Sequence, residues 1–462
     1  MNKPLKIALV SPPQKTRYPQ PPMGLATIAG ILERSGHRSQ VVDANALQLT
    51  PENVAQHVGD ADVVGLTAMT PTINAALKIA RHLKKLKPGR TIILGGAHAT
   101  LLPEDTLRST PEVDLITVGE ADSTILDVLK AIQDGSDFRG IQGIAYRQNG
   151  QVVTATPRDD YTELDSLPFM AYHLLPLEKY RPHPPHGRAL PFAAIITSRG
   201  CPYRCSYCSK PVFGRKFRVQ SPERVIEEIT YLKKKFGFRE FAFYDDVFTL
   251  DKKRAFGYAE GLLSKGVKIH WTCETRVNLV DRDLLRMMKK SGCYAISYGI
   301  ESGAPEIRHI VHKDISQDEI EEAVRISREE GLHTIGYFMI GSPGETPQTI
   351  QTTIDFAARL RLDYAQFAIT TPFPGTELYD IYLKKGGKQV SWDNFVYEAS
   401  GDQAPPVFES EDLSRADLQC WAKKAYRHFY LRPSYVWQRI RQTTSVGDLR
   451  INVGGFMMLL RK

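Results

Sequence analysis

Along the first 147 residues, short β-rich apolar runs alternate with stretches whose apolar residues recur every three to four positions. The runs are Leu5–Val10, Ser39–Val42, Asp62–Leu66, Thr91–Leu94 and Leu115–Val118, and Leu25–Arg34, Thr72–Leu86 and Ser123–Gln133 read as helices. Such alternation predicts an α/β arrangement of βα units around a parallel sheet. Ligands of these sheets lie beyond the carboxyl ends of the strands. Here those ends are Ser11-Pro12-Pro13, Thr67-Ala68-Met69-Thr70, Gly95-Gly96-Ala97-His98 and Gly119-Glu120.

From Pro157 to Pro191 the pattern is irregular and holds seven prolines, which reads as an extended crossover. The alternation then resumes with a longer period. Strands are predicted at Ala193–Thr197, Glu240–Tyr244, Lys268–Cys273, Tyr294–Ile300, Thr334–Ile340 and Tyr364–Thr370, with helices at about Pro222–Phe236, Lys252–Ser264, Arg282–Ser291, Gln317–Glu330 and Pro347–Leu360. Six parallel strands are too few for a full eight-stranded barrel. Beyond about Lys384 the rhythm stops, and Asp412–Tyr430 reads as an amphipathic helix. The expected organisation is therefore 1–147, a linker at 148–191, 192–384, and a mainly helical segment at 385–462.

The 462 residues, 42% apolar and 24% charged, have an ordinary globular composition. The six-residue apolar run near the N-terminus is too short for a signal peptide, and no stretch reaches transmembrane length. The expectation is a cytoplasmic protein whose six cysteines stay reduced. Residues 411–462 carry ten Lys or Arg against four Asp or Glu, a net +6 of the chain's +8. That balance reads first as a solvated face, with nucleic acid disfavoured as a partner. The aromatic and arginine-rich stretch Phe429–Arg439 and the apolar Gly454–Lys462 leave open peripheral membrane contact, though packing against the preceding fold is the default.

Candidate chemistry concentrates in Cys201-Pro202-Tyr203-Arg204-Cys205-Ser206-Tyr207-Cys208, directly after the first strand of the second alternating region. Thiolates spaced C-x3-C-x2-C suit a [4Fe–4S] cluster, and three ligands for four irons leave one iron open for chemistry. Structural zinc usually needs four ligands in two separated pairs, and no second pair lies nearby. A disulfide framework does not suit a long chain with so few cysteines. Cys273, Cys293 and Cys420 read as small apolar packing residues.

The triplet, with Tyr207 before its last cysteine, resembles the signature of the radical S-adenosylmethionine (SAM) enzymes. That resemblance implies an open partial (β/α)6 barrel, TIM-like, with SAM chelated to the open iron and a 5′-deoxyadenosyl radical formed on reduction. By position, Tyr207, Asp245 or Asp246, Arg276, Glu301 and Ser302 would then serve SAM. Arg276 would pair with its carboxylate and Glu301 with its amino group or ribose. Asp246 and Glu345 also suit helix starts, where a carboxylate caps or meets the dipole.

The first region resembles the Rossmann-like cobalamin-binding domain that precedes many such enzymes. Gly24, Thr67-Ala68-Met69 and Gly95-Gly96 match its D-x-H-x-x-G, S-x-L and G-G marks, but Pro21 stands where the cobalt-binding histidine belongs. Thr67, Thr70, Gly95, Gly96, His98, Gly119 and Glu120 are expected to line the cobalamin site, His98 as a hydrogen-bonding residue rather than a cobalt ligand. The stretch Tyr161–Pro168 resembles the linker of the same class.

The resemblance implies a cobalamin (B12)-dependent radical SAM enzyme with three cofactors: a [4Fe–4S] cluster, SAM, and cobalamin without a histidine lower ligand. It implies class B methyltransferase chemistry, methylating an unactivated carbon of a small-molecule or lipid-like substrate with an electron donor such as flavodoxin or ferredoxin. Radical rearrangement or oxidative ring closure, as in anaerobic tetrapyrrole cyclases, is the alternative within enzymes. A corrinoid carrier with structural cysteines is the alternative outside them.

Overall fold

The computed structural model describes residues 4–14, 16, 18–183, 186, 187, 190–385, 391–395, 409 and 413–442. The chain divides into two compact units, Met1–Tyr203 with Ser209–Asp246 and Lys265–Ile269, and Arg204–Cys208 with Val247–Ser264 and His270–Lys462.

In the first unit, β1 (Lys6–Ser11), β2 (Arg38–Asp43), β3 (Val63–Thr67), β4 (Thr91–Gly95), β5 (Leu115–Thr117), β6 (Ile144–Gln148) and β7 (Gln151–Thr154) form one sheet. Its order is β2-β1-β3-β4-β5-β6-β7. The first five strands pair in parallel, as their near-continuous apolar runs require when both faces are covered. Helices Met23–Arg34, Ile73–Leu86 and Thr124–Asp134 turn apolar stripes inward, including Ala29 and Leu32, Ala76 and Leu83, Val128 and Leu129. The order reverses between β1 and β3, so the switch-point crevice opens beyond Ser11 and Thr67.

The antiparallel hairpin β6–β7 is absent from the sequence expectation. Its turn residues Asn149 and Gly150 have φ of 51° and 79°, the left-handed pair of a type I′ turn. The Asn-Gly dipeptide was the available signal. In the Pro-rich stretch, short turns at Leu164–Ser166, Tyr172–Leu174 and Leu177–Lys179 anchor the chain. Ala171 N–H donates to Ala26 O at 3.0 Å. The buried Tyr172 hydroxyl donates to Ala194 O, and that of Tyr180 to Asp43 at 2.9 Å.

The same unit holds β8 (Phe192–Ile195), the short antiparallel pair β9 (Ser198–Arg199) and β10 (Arg218–Val219), and β11 (Glu240–Phe243), which pairs β8 in parallel. In the second unit β12 (His270–Thr275), β13 (Cys293–Glu301), β14 (His333–Ile340) and β15 (Tyr364–Ile369) lie side by side, all parallel. Helices between them start on capping side chains: Asp281 accepts from Leu284 N–H, and Ser316 and Thr346 each complete a capping box. All six strands expected after the Pro-rich stretch therefore form, each within a few residues of its expected bounds.

Helices Arg415–Tyr430 and Pro433–Gln442 end the described chain. Leu418, Ala422, Ala425 and Phe429 are buried. Tyr430 both donates to Ala365 O at 2.8 Å and accepts from Ala365 N–H at 3.0 Å, while Tyr435 donates to Asp363 O at 3.0 Å. Much of the aromatic and arginine-rich stretch is thus packing on the edge of β15, because a phenol on a sheet edge satisfies backbone groups that have no further strand. Gly454–Lys462 lies outside the described residues. Among the described residues no helix is long and apolar enough to cross a membrane.

Gly30 sits where the helix Met23–Arg34 meets the Pro-rich stretch. A Cβ there would come 2.7 Å from Phe169 O and 3.3 Å from the Pro168 ring. Gly30→Ala is expected to cost about 1–3 kcal/mol by overpacking, despite alanine's better helix propensity. Urea unfolding followed by circular dichroism checks this, and an unchanged or higher midpoint would contradict it.

Candidate active site

The loop bearing Cys201 is fixed at its start by Asp245, the residue two beyond β11. Its buried carboxylate accepts the N–H of Thr197 at 2.7 Å, the N–H of Ser198 at 2.5 Å and the Thr197 hydroxyl at 2.7 Å. Those three bonds commit the side chain to holding the loop. Burial raises the pKa of the neighbouring Asp246, with Lys210 opposing.

Arg199 donates to Glu120 at 2.6 Å and also to Asp122, and Arg218 donates to Glu120. All four side chains are nearly buried. Burial works to lower the Arg199 pKa, and Asp122 with Glu120 overcomes it, leaving the guanidinium held above its ordinary value. Gly200 has φ of 81°, and any side chain there would collide with the carbonyl of Lys216. Cys201 follows, buried, its N–H donating to Gly214 O at 3.3 Å.

In the second unit Cys205 is half-buried and Cys208 exposed. Ser206 between them donates from N–H to Val311 O at 3.1 Å and accepts from Leu378 N–H at 3.0 Å, so the loop backbone is held on both sides. Arg276, just beyond β12 and buried, directs Nη1 at Cys205 Sγ across 3.8 Å. Tyr207 has its pKa raised by burial first, then by Glu301 and Cys205, with both of which it hydrogen-bonds. Glu301 ends β13 at a register shift with φ of 69°, and its Oε1 accepts from the buried Lys313 Nζ at 2.9 Å. Lys313 carries no signal in the sequence; it is found only because the chain after β13 folds back over the strand end.

Ser302, expected to serve SAM, and Glu345, read as a helix-start carboxylate, each bond to neighbours in the protein. Ser302 Oγ lies 2.9 Å from Thr353 Oγ1 and accepts from Ala304 N–H at 3.1 Å. Glu345 Oε2 accepts from Gly341 N–H at 2.5 Å and Ser342 N–H at 2.8 Å, tying off the turn after β14. Its Oε1 is buried without a hydrogen-bond partner, and burial pushes its pKa up to about 7 against those two N–H groups.

At the switch-point end of the first sheet, Thr67, Gly95 and Gly96 pack on one another. A Cβ on Gly95 would lie 2.6 Å from Thr117 Oγ1, and one on Gly96 2.7 Å from Ala68 O. His98 and Thr70 are buried together, Nδ1 to Oγ1 at 3.1 Å, and burial lowers the His98 pKa to about 4, keeping the ring neutral. Gly119, with φ of 81°, donates from N–H to Thr100 Oγ1 at 3.1 Å. Gly24 has open space where a side chain would stand, and Met69 is exposed at the end of β3. Open backbone at Gly24 and an exposed apolar side chain at Met69, at a sheet with a switch point, suit a large, partly apolar cofactor.

None of the six cysteines is in a disulfide. Among the described residues no three His, Cys, Asp or Glu side chains converge as ligands of a single metal ion. Ligands of a cluster need no such convergence, because each thiolate holds a different iron. Within the second unit, two thiols on a loop held through the backbone of Ser206, with a guanidinium turned toward one sulfur, are donors that fit a cluster.

Residues 195–357 match the radical SAM superfamily, and residues 14–129 match the B12 binding domain. An uncharacterized methyltransferase of Pyrococcus horikoshii is 35% identical over 93% of this chain and 94% of its own. This chain belongs to the cobalamin-dependent radical SAM methyltransferase family. An anaerobic magnesium-protoporphyrin IX monomethyl ester cyclase of Rubrivivax gelatinosus is 29% identical over 90% of this chain and 75% of its own. Among solved structures, the radical SAM methyltransferase TsrM of Kitasatospora setae shares the fold, with a TM-score of 0.71, 19% identity, and coverage of 83% of this chain and 77% of that one.

For this radical SAM enzyme Glu345 generates a signed pH dependence. Its folded pKa of about 7 lies above the ordinary 4.5, so the protonated form is favoured by folding. Its contribution is full below about pH 4.5 and is lost as pH rises through about 7. Glu345→Gln keeps an acceptor for Gly341 and Ser342 but cannot ionise. Relative to the parent, the variant should gain stability on going from pH 5 to pH 8, on the order of 3 kcal/mol at most. Thermal unfolding of both proteins at the two pH values tests this; a pH-independent difference would contradict it.

Proposed function

We propose that this enzyme methylates an unactivated carbon of a small-molecule or lipid-like substrate, using a [4Fe–4S] cluster, SAM and cobalamin that lacks a histidine lower ligand. The observation that carries the reading is the backbone-fixed thiol loop after β8 in a chain whose first sheet has a cobalamin-type switch point with Pro21 at the ligand position. When bound, these groups supply hydrogen-atom abstraction and a transferable methyl group.

Cys201, Cys205 and Cys208 would hold the cluster as thiolates. Asp245 acts on the start of their loop through Thr197 and Ser198. Tyr207 and Glu301 sit beside Cys205 at the strand ends and border the SAM site. Pro21 has no side-chain donor for cobalt and its carbonyl accepts from Met23 N–H at 2.9 Å at the start of the first helix, so this residue would leave a bound cobalamin unligated. An electron donor such as flavodoxin or ferredoxin would supply the electrons.

The cyclase from Rubrivivax gelatinosus favours a second reading, oxidative ring closure without methyl transfer. Anaerobic incubation with methyl-labelled SAM, a reductant and an extract of the native cells separates the two. The expected result is label in a small-molecule or lipid product with the parent enzyme and none with Cys205→Ala. SAM cleavage without label in any product supports ring closure instead.

A lipid-like substrate is supported by Val436, Trp437 and Ile440, exposed together on the last described helix beside Arg441. Vesicles of anionic phospholipid should pellet the parent enzyme, and a Trp437→Ser, Ile440→Ser double variant should pellet several-fold less. Equal recovery of the two would remove the membrane contact.

A further inference from the structure

We infer that Arg276 sets the reduction potential of the cluster by donating to the Cys205 thiolate, and that Lys313 and Glu301 are the positioning pair that aims it. The inference rests on the proposed cluster at Cys201, Cys205 and Cys208. It assigns Arg276 a task that exists before SAM binds.

Three observations carry it. Arg276 is 4% exposed, and its Nη1 faces Cys205 Sγ at 3.8 Å, within donor range for sulfur. Its Nη2 donates to the backbone carbonyl of Lys313, so two arms of one rigid fork are fixed at once. Lys313 is itself held by Glu301 Oε1 at 2.9 Å, with both side chains buried. A Cβ on Gly299 would lie 2.6 Å from Glu301 Oε1 and 2.7 Å from Lys313 Nζ, so a glycine is what leaves room for that pair.

The charges decide the sign. Arg276 brings one buried positive charge to Cys205, while Lys313 and Glu301 offset one another as an ion pair. One-electron reduction, from a low-potential donor of the ferredoxin or flavodoxin class, adds a negative charge to the cluster. A donor to the ligand sulfur and a nearby desolvated cation both favour the reduced form and raise the potential. The fork also lowers the reorganisation needed on reduction, because Lys313 O already holds the guanidinium in place.

The test is an anaerobic redox titration of the loaded enzyme without SAM, followed by electron paramagnetic resonance. Arg276→Gln is expected to lower the midpoint so that the reduced fraction at a fixed potential falls about tenfold, which is about 59 mV for a one-electron couple. Arg276→Lys keeps the charge but cannot bond Sγ and Lys313 O with one fork, and is expected to fall about threefold. If Arg276→Gln fails to retain four irons per chain, the Lys variant decides alone. A SAM-free potential equal to the parent's in the variants that load would overturn the inference, even if SAM binding weakens. Iron and sulfide counts on the parent enzyme keep the two readings separate, since a parent without a cluster overturns the proposed function instead.

Discussion

The carboxylate of Asp245 is the constraint on which the rest of the thiol loop depends. A charged group 1% exposed is costly to bury unless its acceptors are filled, and here two N–H groups and one hydroxyl fill them. The strand β8 can then stop at Ile195 and release its chain into a loop without leaving backbone donors orphaned. Removing the carboxylate would strand three polar groups in the interior at once.

Within the first unit a second set of buried charges acts on the same loop. Glu120 and Asp122, on the segment after β5, reach Arg199 two residues before Cys201, and Glu120 also takes Arg218 from β10. One end of the cobalamin-type sheet is thus bonded to the chain that leads into the cysteines. Arg218 further stacks on Tyr161 of the Pro-rich stretch, with 4.3 Å from guanidinium carbon to ring centroid. A buried ionic network of this kind adds little net stability but specifies one arrangement, since a shifted loop would leave carboxylates unpaired.

The residues expected to meet cofactors divide by what their polar atoms already do. Asp245, Glu120, Ser302 and Thr70 spend theirs on neighbours in the protein, as buried polar groups must. Tyr207, Arg276 and Glu301 cluster at Cys205. Sequence position at a strand end could not separate these two groups, because both kinds of residue are polar and both follow a strand. Direction of the side chain separates them, and direction depends on twist, register shifts such as the one at Gly299, and positive φ at Glu301.

The sequence by itself determined the two alternating regions, the six later strands and the cysteine triplet. These are signals of period and spacing, carried by neighbouring residues, and they survive without knowledge of the fold. The β6–β7 hairpin turns on Asn149-Gly150, a local signal, but its short strands carry too little apolar alternation to stand out by period alone. Lys313, Asp122 and the aim of Arg276 were decided by tertiary structure alone. Lys313 is twelve residues from Glu301, and Arg276 is 71 from Cys205. Pairings at such separations follow from how strands stack and loops return over their ends, and no local pattern of hydrophobic and polar residues encodes that.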